Sequence, residues 1–318
     1  MLSENEIKKY LGTNWAGQKI VYKDVTGSTN TDAALLAKEG ALHGTVVIAD
    51  IQESGRGSRG RSWETPGGEN IAMSVVLRPS APPADISMLT LVMGLSVAEG
   101  VDRAISESLP EVAGSDNSNG YQALGDGDDH SIHSAFVPGD DNPSFSNKRN
   151  SSGKGRLKSF GRIKWPNDIV IDGKKICGIL TELHMKPDNT ISDVITGVGI
   201  NVNMVDFPEE IRNIAGSVLS QTGIRVSRSL VVARCLERFE ENYEKYDRTY
   251  DLSFLKEQYE SRLINLNETV RVLDPGGEFE GRALGITKRG ALLVRTLNGE
   301  IMEINAGEVS VRGLYGYV

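Results

Sequence analysis

The sequence predicts an α+β fold in two parts: strands interleaved with helices over residues 1–265, then a small closed β barrel over 266–318. Three observations carry this. Short apolar strands alternate with segments of helical period in the first part. An Asp172-Gly173 pair between two apolar runs marks a hairpin. After Glu268 the pattern changes to short strands broken by glycine turns, the mark of a small barrel.

Residues 20–26 and 45–50 (TVVIAD) are the first two strands, with a helix from Asn30 to Glu39 between them that Gly40 stops. Asn70–Leu77 (NIAMSVVL) is a third strand. Residues 87–107 carry apolar groups at Met88, Leu91, Leu95, Ala98, Val101 and Ile105, a helical spacing. From Ser115 to Ser159 the chain turns to Ser, Gly, Asn and Asp, acidic at first and basic at its end. It cannot bury enough apolar area to offset ordering entropy, so it is expected to be a disordered insertion. Beyond it, Asp168–Ile171 and Lys175–Leu183 pair around the Asp-Gly turn, and Ile191–Val202 continues the sheet. Residues 227–247 and 252–263 are helices, the first amphipathic through Leu230, Val231, Cys235, Leu236, Phe239 and Tyr243. The final strands are TVRVL, FEGRALGI, ALLVRT, EIMEI and EVSVR.

Composition narrows the function classes. A net charge of −8 gives no electrostatic reason for duplex nucleic acid to be the main partner. Cys177 and Cys235, the two cysteines, form neither a metal cage nor a disulfide framework and suit a reducing compartment. The polar N-terminus has no signal-peptide core, and no run approaches about 18 consecutive apolar residues, so a cytoplasmic protein without a membrane span is expected. His130 and His133 fall inside the insertion without neighbouring ligands, so no protein-held metal is assigned.

Three segments carry chemistry. In Gly55-Arg56-Gly57-Ser58-Arg59-Gly60-Arg61-Ser62-Trp63, glycines allow close backbone approach and three arginines offer paired hydrogen bonds to phosphate or carboxylate. Trp63 is placed to cover an aromatic ring. Alone, such a loop reads first as a solvated surface and second as a nucleic-acid contact. No G-x-x-x-x-G-K-[ST] element is present, so the common phosphate loop is not the nucleotide site. Lys164-Trp165-Pro166-Asn167-Asp168, with Lys175 and Gly178 following, is either an exposed turn or a pair of point charges for an anionic ligand with Asn167 and Asp168 at the strand mouth. Ser28-Thr29-Asn30 reads as a helix cap, which is compatible with ligand binding.

Taken in order, Ser28-Thr29-Asn30, Gln52 before the GRGSRGRSW loop, KWPND at 164–168, KKICGIL at 174–180, Gly199-Ile200-Asn201 and the C-terminal Gly307–Arg312 stretch resemble the biotin–protein ligase family over nearly the whole chain outside the insertion. The resemblance implies a class II synthetase-like mixed sheet flanked by helices, with an SH3-like barrel after it. It implies a reaction in which ATP and biotin form biotinyl-5'-AMP, followed by transfer of biotin to a lysine on a biotin carboxyl carrier domain. Biotin-binding positions would be Ser28, Thr29, Asn30, Gln52, Arg56, Gly57, Ser58, Lys175 and Gly178; the nucleotide would face Arg59, Arg61, Trp63, Lys164, Asn167, Asn201 and Arg312. Glu308 and Arg312 match positions that support the site from the barrel. Lys175, Arg56 and Asp168 are the expected catalytic groups: two cations for the charge that develops when a carboxylate attacks the α-phosphate, with Mg²⁺ on the phosphates, and a carboxylate to orient or deprotonate the acceptor amine.

Two features depart from the family pattern. Its loop usually reads G-R-G-R-x-G-R, and Ser58 stands at the fourth position, which predicts looser retention of the adenylate. The insertion before KWPND is the other, and it is expected to have no catalytic role. A lipoate–protein ligase and an inactive biotin-binding module are weaker readings, the first because GRG and KWPND pair with biotin, the second because Lys175 and the arginines are present. A biotin-sensing repressor is also weaker: about twenty residues precede the Tyr22 strand, with Ser3–Gly12 as a lead-in helix, so DNA binding is not expected. A homodimer through sheet edges is expected from the resemblance.

Overall fold

Alternation along the strands decides which face of the sheet each helix covers. The computed structural model describes residues 1–57, 60–63, 65–109, 160–274, 277–306 and 310–313; the 115–159 insertion lies outside them. The chain runs α1 (Glu4–Lys8), β1 (Ile20–Thr26), α2 (Thr29–Lys38), β2 (Val46–Gln52), β3 (Asn70–Leu77), α3 (Met88–Ser108), β4 (Arg162–Lys164), β5 (Asp168–Ile171), β6 (Lys174–Met185) and β7 (Ile191–Asn201). Helices α4 (Val218–Thr222), α5 (Arg228–Asp247) and α6 (Lys256–Arg262) follow, then β8 (Thr269–Asp274), β9 (Gly277–Ile286), β10 (Leu292–Thr296), β11 (Ile301–Ile304) and β12 (Ser310–Gly313).

The first seven strands form one mixed sheet, ordered β1-β2-β3-β7-β6-β5-β4. β1 and β2 run parallel, joined by α2, and every other pair is antiparallel. Asp172 and Gly173 both take positive φ (45° and 76°) in the β5–β6 turn, the conformation an Asp-Gly pair tolerates. All eight residues of β3, an interior strand of the sheet, are buried. Their side chains alternate between two cores. Ile71, Met73, Val75 and Leu77 join the large core that holds the apolar groups of α3 and α5. Val76 joins a small one with Val47, Ile195, Ala33 and Ala37 under α2. Helix α2 thus covers only part of its face, beside β2, β3 and β7. The rest of that face holds the pocket described below.

Helix α3 is long and apolar enough, by length and composition, to cross a membrane, but 83% of its most apolar window is buried in the protein, as in a core helix. At Gly100 a Cβ would lie 2.6 Å from the Cys235 backbone, so glycine permits the close approach of α3 to α5. Asp102 on α3 accepts hydrogen bonds from the Phe160 and Gly161 N–H groups (2.9 and 2.8 Å) and pairs with Arg262 at 2.7 Å. The chain therefore re-enters the fold beside the helix it left.

The C-terminal strands form an antiparallel sheet ordered β11-β10-β9-β8-β12. The expected barrel does not close among the described residues: β11 pairs only with β10, and β12 only with β8. Three of the four residues of β11 face solvent, so this strand lacks the apolar side that closure would bury. The two sheets are bolted together. Trp165, 2% exposed, donates its indole N–H to the Gly290 carbonyl at 3.0 Å, and Arg289 pairs with Asp85 at 2.9 Å.

Candidate functional site

The open part of the α2-side sheet face is floored by residues that alternate onto it: Ala72 from β3, Gly178 and Leu180 from β6, Gly197 and Gly199 from β7. Over this floor lies a pocket of about 460 Å³, counting the part open to solvent. Its walls come from three sequence-distant stretches: Ser28–Asn30 at the start of α2, Gln52–Trp63, and Asn167 with Lys175.

At the α2 end the groups are neutral and already ordered. Ser28 is the residue before the helix, yet its hydroxyl makes no capping hydrogen bond. The Thr29 N–H and hydroxyl both donate to Gln52 Oε1, at 2.9 and 3.1 Å. The Ser74 hydroxyl lies 2.6 Å from Asn30 Oδ1 and 2.8 Å from Thr29 Oγ1. Asn30 in turn donates to Glu182 at 2.6 Å. A Cβ at position 197 would meet Asn30 Oδ1 at 2.0 Å, so only glycine fits beneath that amide.

The charged end has two sources. Lys175 follows the β5–β6 turn and pairs with Asp168 at 2.5 Å; their side chains are 20% and 14% exposed. The Lys175 N–H donates to the Ile214 carbonyl at 2.7 Å, which ties its backbone to the 214–216 segment. Arg56 sits in the 55–57 segment, which pairs with 61–63 through Trp63 N–H to the Gly55 carbonyl (2.9 Å) and Gly57 N–H to the Arg61 carbonyl (2.7 Å). Its guanidinium reaches Glu182 at 3.2 Å with a half-exposed side chain. Trp63 folds back over the floor. A Cβ on Gly199 would lie 2.3 Å from its Nε1, and Lys175 Nζ stands 5.6 Å from its ring centroid. The Trp63 indole N–H is buried with no hydrogen-bond partner among the described residues, a donor awaiting an acceptor.

The pocket gathers Ser28, Thr29, Asn30, Gln52, Arg56, Gly57, Trp63, Asn167, Lys175 and Gly178. Asn167 donates to the Ile179 carbonyl at 2.9 Å, locking its amide to β6, and Asp168 adjoins the pocket through Lys175. Other expected positions do not line it. Lys164 is buried in β4, the far edge strand. Asn201 donates to the Gly216 carbonyl at 3.0 Å, fixing the turn beyond β7. Arg61 is exposed, Arg312 falls on β12 of the second sheet, and Ser58, Arg59 and Glu308 lie outside the described residues.

Sequence reasoning missed Ser74 and Glu182. Period-2 alternation extended from Gly178 through Leu180 places Glu182 on the pocket face, so the signal was there. Ser74 is a polar break in the apolar run of β3. Away from the pocket, His43 Nδ1 accepts from the Arg78 N–H at 3.0 Å, and burial lowers its pKa below the usual histidine range. Burial likewise raises the thiol pKa values of Cys177 and Cys235, keeping both protonated. No trio of His, Cys, Asp or Glu able to hold a metal occurs among the described residues.

Comparison with known proteins gives two family matches: "Biotin/lipoate A/B protein ligase family" over residues 22–201 and "Biotin protein ligase C terminal domain" over 266–312. The bifunctional ligase/repressor BirA of Bacillus subtilis is 33% identical over 98% of this chain and 79% of its own. The biotin–[acetyl-CoA-carboxylase] ligase of Mycobacterium tuberculosis is 27% identical over 97% and 95%. Among solved structures, the biotin protein ligase of Aquifex aeolicus in complex with biotin and ATP matches with a TM-score of 0.67 at 27% identity, covering 93% of this chain and 99% of that one.

Proposed function

The chain belongs to the biotin/lipoate A/B protein ligase family, as a biotin protein ligase, and on that premise we propose how its pocket divides the work. Biotin and ATP are the substrates, joined as biotinyl-5'-AMP, and biotin then passes to a lysine of a carboxylase's biotin carboxyl carrier domain. The observation that carries this reading is the convergence of Lys175 and Arg56 on one pocket whose other end is lined by neutral hydrogen-bonding groups. That polarity suits a ligand with a neutral ureido head and an anionic tail.

Ser28, Thr29 and Gln52 take the head. The Ser28 hydroxyl, unused by the helix, is the free partner, while Gln52 Oε1 is occupied by Thr29 and offers its N–H₂ side. Lys175 meets the carboxylate and the α-phosphate, where negative charge builds in the transition state. Trp63, with its unpartnered indole N–H, covers the ring of the nucleotide, and Asn167 lines the same floor. Arg56, Arg59 and Arg61 close over the anhydride, which must be kept from water until the acceptor arrives. Asp168, bonded to Lys175, orients or deprotonates the acceptor amine; its distance from the pocket groups follows Lys175. Mg²⁺ enters on the phosphates of ATP as part of the substrate.

A homodimer is proposed through a sheet edge, where β1 leaves a row of backbone groups unpaired; light scattering tests it. The reaction itself is tested by ATP–pyrophosphate exchange. Exchange should depend on biotin and fail with lipoate. Exchange driven by lipoate alone would reassign the substrate within the family.

A further inference from the structure

Glu182 is an acidic group at the edge of a pocket meant for an anion, and the reaction as set out above gives it no task. Its two oxygens are used differently. Oε2 accepts the Asn30 amide at 2.6 Å, and both oxygens face one nitrogen of Arg56, Oε1 at 3.2 Å and Oε2 at 3.4 Å. The Asn30 amide is itself held from behind, with Oδ1 against the Ser74 hydroxyl at 2.6 Å and Nδ2 within 3.4 Å of the Leu180 carbonyl. A line of polar contacts therefore runs Ser74–Asn30–Glu182–Arg56, from the interior of the sheet to the loop.

We propose that Glu182 is a positioning residue for Arg56, and that Asn30 is the strut that fixes Glu182. This rests on the ligase reading given above and assigns how the loop cation is aimed. A competing role, in which Glu182 blocks Arg56 until the ligand displaces it, is countered by the contacts. Glu182 meets Arg56 only at Nη2, and a guanidinium carries five N–H donors, so Nη1 and Nε remain for a carboxylate or phosphate. An arginine whose side chain is half exposed otherwise samples many rotamers, and a fixed counter-ion narrows that set before the ligand arrives.

A double-mutant cycle tests this, with biotin affinity by titration calorimetry as the readout, beside thermal unfolding of each protein. Glu182→Gln retains an acceptor for Asn30 and loses the charge that draws Arg56. It should weaken biotin binding about three- to fivefold, the scale of a partly exposed ion pair, and should have no effect when Arg56→Gln is already present. An equal loss in both backgrounds, or no loss in the wild type, overturns the proposal. Glu182→Asp, which withdraws the charge by one methylene, carries the same expectation and replaces Gln if that variant does not fold. Biotin-dependent exchange by the wild type is measured in parallel, so failure of the ligase reading shows as absent exchange, separately from the outcome of the cycle.

Discussion

The two cations of the pocket are held in opposite ways. Lys175 stands on strand β6, paired with Asp168 at 2.5 Å, its backbone tied to the 214–216 segment, and 20% of its side chain exposed. Arg56 stands on a loop segment bridged to Ser62, with 52% of its side chain exposed and its carboxylate partner at 3.2 Å. A charge fixed on a strand costs no reorganisation when the transition state forms. A charge on an exposed loop is aimed only as well as its counter-ion holds it. In the proposed reaction one electrostatic task would be shared by a cation held on the sheet and a cation on the loop that Glu182 aims.

Substitutions separate the two. The largest effect is expected from Lys175→Ala, which should slow biotin-dependent pyrophosphate exchange by about 10²–10³-fold, as loss of a pre-aimed donor does. A smaller loss than that from Arg56→Ala would place the permanent charge on the loop and invert the comparison. Next is Ser58→Arg, which adds to the loop the cation its relatives' pattern carries. Adenylate release, followed by rapid filtration, should slow by about ten- to a hundredfold if a charge-assisted contact forms; an unchanged release rate would show that the loop gains no grip there. Arg56→Ala should cost about tenfold in exchange, since a half-exposed group is screened by water. The smallest effect belongs to deletion of 115–159. Activity should stay within about twofold, because loop length costs little once the ends are anchored, and the described return point, Phe160–Gly161, is pinned to Asp102. Loss of adenylate formation in a folded deletion variant would bring the insertion into the site.

Most of the scaffold was legible because its strands and long helices follow simple periods. The spans of β1, β3 and β5 match the expected bounds, and the Asp172-Gly173 turn has the backbone its residues favour. The closed barrel was not legible, since closure depends on which edge strands meet, and local patterns do not encode that meeting. The motif residues Ser28–Asn30, Gln52, Arg56 and Lys175 line one pocket, because each sits at or near the end of a strand or helix at that face. Two motif residues lie off the pocket lining: Lys164 is buried in the edge strand and Asn201 donates to the Gly216 carbonyl. Trp165 shows the same limit from the other side. It lies inside KWPND yet does not line the pocket; its indole enters the junction between the sheets.

That junction has a thermodynamic consequence. The indole of Trp165 is almost wholly shielded, and a Cβ at Gly290 would meet Leu91 at 2.9 Å and Leu252 at 3.4 Å, so the tip of the second sheet is embedded in the core of the first. Neither sheet can melt without uncovering apolar surface on the other. Calorimetry should record one cooperative endotherm with matching van't Hoff and calorimetric enthalpies, and amide protons on both sides of the junction should exchange through the same global opening.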